Sequence, residues 1–340
     1  DWSSDVCSSD LINMSDALGI GNALLDLLMN VPDDVLTELE LPKGSMQMID
    51  DAKNKRILKA TEKYDRMIVS GGSASNCIHA IAHLGPKCSF QGKVGNDKEG
   101  KYFEEDLKKS GITPLLTVTD LSSGCANTLV TPDGERTFGT FLGAASTIDV
   151  SDIKAENMKG KKLMHTEGYL VFNTEMFRTM MKTAKAEGLK VSLDAGSYNM
   201  INDFKAFFDE IVKDYVDILF CNEEESEALT GIKDPYKAID ELAKIVEVPV
   251  VKLGGEGSLV KVDGKTVKVA PCKVDKVVDC TGAGDSYAGT FLAGYLRGVP
   301  ADKCGKAASL VSSKVIQKMG AKLTEEQWAE LRPEVEKIFA

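Results

Sequence analysis

The chain has 340 residues, 43% of them hydrophobic, enough to bury one large α/β core plus a small accessory piece. A net charge of −11 argues against recognition of nucleic acid or an anionic membrane through a general basic field, and no apolar run is long enough to span a bilayer. Eight cysteines without a Cys-x-x-Cys pair argue against structural zinc and for a reduced, cytoplasmic setting.

Residues 1–11 lack both a basic n-region and an apolar h-region, so they do not read as a signal peptide. They look like the translation of a sequencing adaptor fused to the reading frame, with the native start expected at Met14 or upstream. Gly19 and Gly21 then mark a close approach of backbone to a ligand, without the third glycine of a dinucleotide-binding fingerprint. The stretch 23–50, with Pro32, Pro42 and scattered acids, breaks the strand–helix rhythm. A strand is expected over 66–70. Ser70-Gly-Gly-Ser-Ala-Ser-Asn76 then opens a helix carrying Ile78, Ile81 and Leu84, with Gly85 as its stop. No Gly-Lys-Ser/Thr phosphate loop is present. His79 and His83 stand four apart on that helix, but nothing like His-Glu-x-x-His surrounds them, so packing or exposure is expected rather than a metal.

After a strand over 88–94 and a helix over 103–109, residues 124–142 read as a hairpin. Pro132-Asp-Gly-Glu forms its turn, and Arg136 beyond it would reach either a phosphate or solvent, with surface exposure expected. Strands over 162–168, 190–194, 218–221 and 248–253 alternate with helices over 174–187, 204–213 and 236–246. This alternation predicts a mostly parallel sheet with helices on both faces. His165 falls in the first of these strands with no recognisable partner.

Ligands of such sheets bind beyond the carboxyl ends of strands. Asp194, Asn222 and the 279–285 loop all follow apolar, strand-like segments and are expected to converge on one crevice. The loop is the most informative stretch: Asp279-Cys-Thr-Gly-Ala-Gly-Asp285 runs into Tyr287, Phe291, Leu292 and Tyr295 at helical spacing. Gly282, Ala283 and Gly284 keep bulk away, so that backbone amides and the helix dipole can close on an anion. Asp285 lies in the first turn, where a carboxylate can take a proton from an attacking hydroxyl. That pairing suits phosphoryl transfer to an alcohol. The plainer alternative is a Gly-rich helix start whose Asp complements the dipole.

Gly71-Gly-x-x-x-Asn76, Asn222-x-x-Glu225 and the 279–285 stretch resemble, in that order, the signatures of the PfkB-type carbohydrate kinase family. Cys280 replaces the usual Thr of the last one, and the resemblance runs from about Leu18 to the C-terminus. Gly19-Ile-Gly-Asn22-Ala-Leu-Leu-Asp26, Lys43-Gly-Ser-Met-Gln47 and Asp194-Ala-Gly-Ser-Tyr-Asn199 are similar to its adenosine kinase branch. The resemblance implies a ribokinase-like three-layer α/β/α fold over residues 12–340, with a mostly parallel central sheet. Segments at about 23–50 and 124–142 would form a small β-rich lid, the plainer reading of 124–142 being a surface hairpin with no motion. The implied activity is ATP-dependent phosphorylation of the primary hydroxyl of a nucleoside, adenosine foremost. A kinase for ribose, fructose or a related sugar is one alternative, and a catalytically silent nucleoside-binding protein is another.

The resemblance also implies roles for individual residues. Asp285 would be the general base, with Gly282, Ala283 and Gly284 as the anion hole. Asn22, Asp26, Gly72 and Asn76 would contact the ribose, with Gln47 near the base. Lys252, Gly254 and Gly257 would lie near the nucleotide, the plainer reading of these glycines being a strand-to-hairpin turn. Asn222 and Glu225 would reach Mg²⁺ and the ATP phosphates through water. The plainer reading of Glu225 is a helix N-terminal carboxylate in an acidic run. Asp279 and Thr281, with the region near Gly320, would form a monovalent-cation (K⁺) site. The implied partners are the acceptor and ATP, and the chain is expected to be a monomer or a homodimer.

Overall fold

The computed structural model describes residues 16–340, so the expectations for residues 1–11 and Met14 lie outside the described residues. Its strands, in chain order, are β1 (Ala17–Ile20), β2 (Leu24–Asn30), β3 (Met46–Met48), β4 (Arg66–Gly71), β5 (Cys88–Gly95), β6 (Ile112–Thr119), β7 (Gly124–Val130), β8 (Arg136–Phe141), β9 (Leu163–Glu167), β10 (Lys190–Asp194), β11 (Ile218–Asn222), β12 (Val248–Lys252), β13 (Ser258–Val262) and β14 (Lys265–Val269).

Nine of them form the larger sheet, in the order β14-β13-β12-β11-β10-β9-β1-β5-β6. From β12 to β6 every neighbouring pair is parallel, and β13 and β14 add an antiparallel edge. Alternation along these strands feeds two separate cores. In β11, Ile218 and Phe220 join one core while Leu219 and Cys221 join the other. The first core takes the helices Ser73–His83, Ala283–Leu296, Ala301–Val315 and Glu325–Phe339. The second takes Thr174–Ala186, Lys205–Tyr215 and Pro235–Leu242. The result is a three-layer α/β/α body, as the alternating pattern predicts.

The remaining strands form a second, five-stranded sheet in the order β3-β8-β7-β2-β4. Its buried face, with Leu25, Leu27, Met29 and Leu129, joins the same core as Ile57 of the helix Asp51–Ala60. The strand expected over 66–70 belongs here: β4 pairs antiparallel with β2 and has no place in the parallel sheet. Another strand, β6, was hidden in the sequence by Pro114. As an edge strand it tolerates a residue that cannot donate to the ladder.

Candidate active site

Two helices bring a carboxylate and its donors together. Ser73–His83 and Ala283–Leu296 approach so closely that a Cβ at Gly289 would fall 2.3 Å from the Cys77 carbonyl oxygen. Ser73 and Asn76, in the first turns of one helix, thereby reach Asp285 in the first turn of the other. Ser73 Oγ donates to Asp285 Oδ1 at 2.7 Å, and Asn76 Nδ2 donates to Oδ2 at 2.9 Å. Burial pushes the Asp285 carboxyl above its ordinary value; the Asn76 hydrogen bond opposes the rise and the charge of Asp194 adds to it. A fixed carboxylate with a raised pKa binds a proton more tightly than a free one and so makes a stronger base.

Gly282, in the left-handed region at φ +74°, opens the helix that carries Asp285. The Ala283 N–H turns back to the Cys280 carbonyl at 3.2 Å, so it belongs to the turn. The amides of Gly284 and Asp285 have no carbonyl four residues back within the helix, an arrangement able to receive an anion. Lys252 strengthens this end: a Cβ at Gly284 would lie 2.9 Å from its Nζ. That ammonium is 2.8 Å from Asp194 Oδ2. Burial pulls the Lys252 pKa down, but the charges of Asp194 and Glu225 outweigh it and leave it above its ordinary value.

A cavity of about 800 Å³ gathers Asn222, Lys252, Gly254, Gly257, Ala283 and Gly284, with Val277 and Ile316 as apolar lining. A second, of about 520 Å³, is lined by Asn76 and Ser286. Gly284 and Ser286, on either side of Asp285, therefore line different cavities. Glu225 has its oxygens turned away into a capping box. Its Oε2 accepts from the Asn222 N–H at 2.8 Å and its Oε1 from Asn222 Nδ2 at 3.1 Å. Burial, followed by the charge of Asp194, pushes its carboxyl up to about 7. The acids that line the larger cavity are Glu223 and Glu224.

Just before the helix Ser73–His83, a Cβ at Gly72 (φ +89°) would fall 2.1 Å from the Asn22 carbonyl oxygen, so only glycine fits there. Asn22 is held by a residue that the sequence reading did not single out. Glu167 Oε1 accepts from the Asn22 N–H at 3.1 Å and from Asn22 Nδ2 at 2.7 Å, while Oε2 accepts from the Ala74 N–H at 2.7 Å. Burial pushes Glu167 up to about 7 against those three bonds. The available signal was a carboxylate followed by Gly168 at the carboxyl end of a buried strand. Asp26 lies against Gly71, where a Cβ would meet its Oδ2 at 2.7 Å. Burial raises Asp26 to about 6, opposed by the charge of Lys322.

Gln47 does not join this group. Strand pairing links Asp26 to Ala126, Ala126 to Thr140 and Thr140 to Met48, so Asp26 and Met48 share a face. Gln47 pairs with Gly139, Gly139 with Asn127 and Asn127 with Leu27, which places Gln47 on the opposite face. A one-residue offset on a strand reverses the side a residue presents. Met46 and Met48 are the residues of β3 on the Asp26 side.

Arg136 is also placed differently from expectation. Its side chain is only 17% exposed, with Nη1 2.5 Å from Asp279 Oδ1. His165 has a partner, with Nδ1 3.0 Å from Ser192 Oγ. His83 stacks on Trp328, and no metal-competent cluster of His, Cys, Asp and Glu occurs among the described residues. No described helix is long and apolar enough to cross a membrane.

Residues 51–328 match the model of the pfkB family of carbohydrate kinases. An uncharacterized sugar kinase of Archaeoglobus fulgidus is 30% identical over 248 residues, covering 71% of this chain and 96% of its own. Adenosine kinase 2 of Arabidopsis thaliana is 24% identical over 325 residues, covering 89% of this chain and 94% of its own. Among solved structures, adenosine kinase from Sinorhizobium meliloti superposes with a TM-score of 0.83 at 29% identity, covering 94% of this chain and 99% of that one. A probable sugar kinase from Rhizobium etli gives 0.84 at 27%, covering 95% and 99%.

Proposed function

The chain belongs to the pfkB family of carbohydrate kinases, phosphotransferases that act on hydroxyl groups, and we propose that its acceptor is the primary hydroxyl of a nucleoside, adenosine foremost. The observation that carries this reading is the Asp285 carboxylate, fixed by Ser73 and Asn76 at a helix N-terminus whose Gly284 lines one cavity and whose Ser286 lines another. ATP would occupy the larger cavity, with its phosphates toward Lys252 and the first-turn amides. Its Mg²⁺ would offset phosphate charge, held through water by the Glu223, Glu224 and Asn222 end of that cavity. Glu225 would act on this end by shaping the Asn222 cap.

Asp285 would take the hydroxyl proton as the acceptor oxygen forms its bond to the terminal phosphorus and the bond to the leaving diphosphate breaks. The amides of Gly284 and Asp285, with Lys252, would hold the charge on the transferred group. Asp26 and Asn76 would take the sugar hydroxyls, with Glu167 fixing Asn22 beside them. The smaller sheet would act as a lid that excludes water from the transfer.

A free-sugar kinase is the second reading, since a sugar kinase stands among the relatives. The Asp26 face of the smaller sheet favours the nucleoside. Met46 is 66% exposed, Met48 57% and Met67 51%, and Phe138 shares that face. A flat purine would cover such a surface, gaining about 1.5–3 kcal/mol for each large apolar side chain fully buried, whereas a free sugar would leave it wet. The test is ATP consumption with Mg²⁺ across adenosine, inosine, guanosine, ribose and fructose. A large kcat/KM preference for adenosine supports the nucleoside, and turnover confined to free sugars overturns it.

A further inference from the structure

The family resemblance implies a monovalent cation at Asp279 and Thr281, but the side chains present do not fit one. Asp279 Oδ1 accepts from the Thr281 N–H at 2.9 Å and from Thr281 Oγ1 at 2.7 Å, and Arg136 Nη1 lies 2.5 Å from the same oxygen. Asp279 Oδ2 accepts from the Gly320 N–H at 2.9 Å. Oδ1 is thus fully taken by donors and Oδ2 takes one more, and the Asp279 side chain is 3% exposed. A K⁺ ion needs oxygen lone pairs that face it, and here it would meet a guanidinium of its own charge at contact distance.

The arginine comes from another part of the molecule. Arg136 begins β8 in the smaller sheet, whereas Asp279 stands in the coil before the helix Ala283–Leu296. The same guanidinium donates from Nη2 to the Val278 carbonyl at 3.4 Å and lies 2.7 Å from Met319 Sδ. It is therefore wedged between the 278–279 and 319–320 segments, where the cation would have to sit.

We propose that Arg136 is a built-in substitute for the monovalent cation. It neutralises the buried Asp279 and holds the turn that leads into the first-turn amides, so the protein is indifferent to K⁺. In this role Arg136 is a positioning residue that acts through Asp279. Because it is carried by the smaller sheet, its charge reaches the loop only while that sheet lies over it. Only the kinetic readout below rests on the kinase reading.

The experiment compares wild type with Arg136→Ala and Arg136→Lys in KCl and in choline chloride at equal ionic strength, by thermal melting and by initial rates. Wild type should melt at the same temperature in both salts, with kcat differing by less than about twofold. Arg136→Ala leaves a buried carboxylate without its counter-charge, so it should be stabilised by KCl over choline. Its kcat should fall at least about tenfold in choline and recover several-fold in KCl. Arg136→Lys should behave as wild type. If the alanine variant does not fold in either salt, Arg136→Gln, which keeps a donor without the charge, replaces it. A K⁺-specific rise in wild-type melting temperature, or an alanine variant blind to K⁺, overturns the proposal. The melting pattern without turnover on any acceptor would overturn the kinase reading and leave the substitution by Arg136 standing.

Discussion

Glu167→Gln removes one titration from the protein while keeping the volume of the side chain. Glu167 holds Asn22 and Ala74 through three hydrogen bonds, and burial lifts its carboxyl from an ordinary 4.5 to about 7. A carboxyl with a folded pKa above its unfolded one binds its proton more tightly in the native state. Its stabilising contribution is fully present below about 4.5 and is lost as pH rises through about 7. Between pH 5 and pH 8 that loss amounts to about 2–3 kcal/mol, since each pH unit is worth about 1.4 kcal/mol. Gln offers one acceptor oxygen to three donors, so the variant also carries a pH-independent cost of about 1–3 kcal/mol. The assay is urea denaturation of both proteins at intervals from pH 5 to pH 8. Asp26 and Glu225 titrate in the same window but are common to both proteins, so they largely cancel in the difference. The advantage of wild type over the variant should shrink by about 2–3 kcal/mol across the range. Parallel stability curves would refute the reasoning.

Two further outcomes follow from the same geometry. The Asn76 and Ser73 bonds hold the Asp285 pKa down, so Asn76→Ala, and to a smaller extent Ser73→Ala, should move the acid limb of kcat/KM to higher pH. A pH–rate profile with an unmoved limb contradicts this. Lys252→Met leaves Asp194 buried without its partner, which should cost about 3–5 kcal/mol by denaturation and raise the KM for ATP more than that for the acceptor. A variant of wild-type stability with an unchanged KM for ATP would show that the pair anchors neither.

The meeting of two helix starts was legible in sequence where it depends on residue type in a local window. Both 71–76 and 279–285 show small residues and a polar first turn, and Ser73 and Asn76 of one bond Asp285 of the other. The parallel sheet was legible from short apolar strands such as 190–194, because a strand buried on both faces has no polar alternation to show. What stayed hidden depends on pairing at a distance. Gln47 reads as a polar residue near a ligand, and only the register through Gly139 and Asn127 sends it to the far face. Arg136 looks like a hairpin-flanking surface residue because its partner Asp279 is remote in sequence. Glu225 fits a metal-reaching role in its motif, yet its spacing from Asn222 is also that of a capping box, which its oxygens form here.

Steady-state turnover of adenosine by wild type and Asp285→Asn, with adenosine binding measured in parallel, separates catalysis from recognition. Asn at this position keeps the shape of the side chain and cannot take the hydroxyl proton. The kcat should fall by about 10²–10⁴-fold, with adenosine affinity close to that of wild type. Near-normal turnover in the variant would contradict Asp285 as the base and, with it, the proposed chemistry of this site.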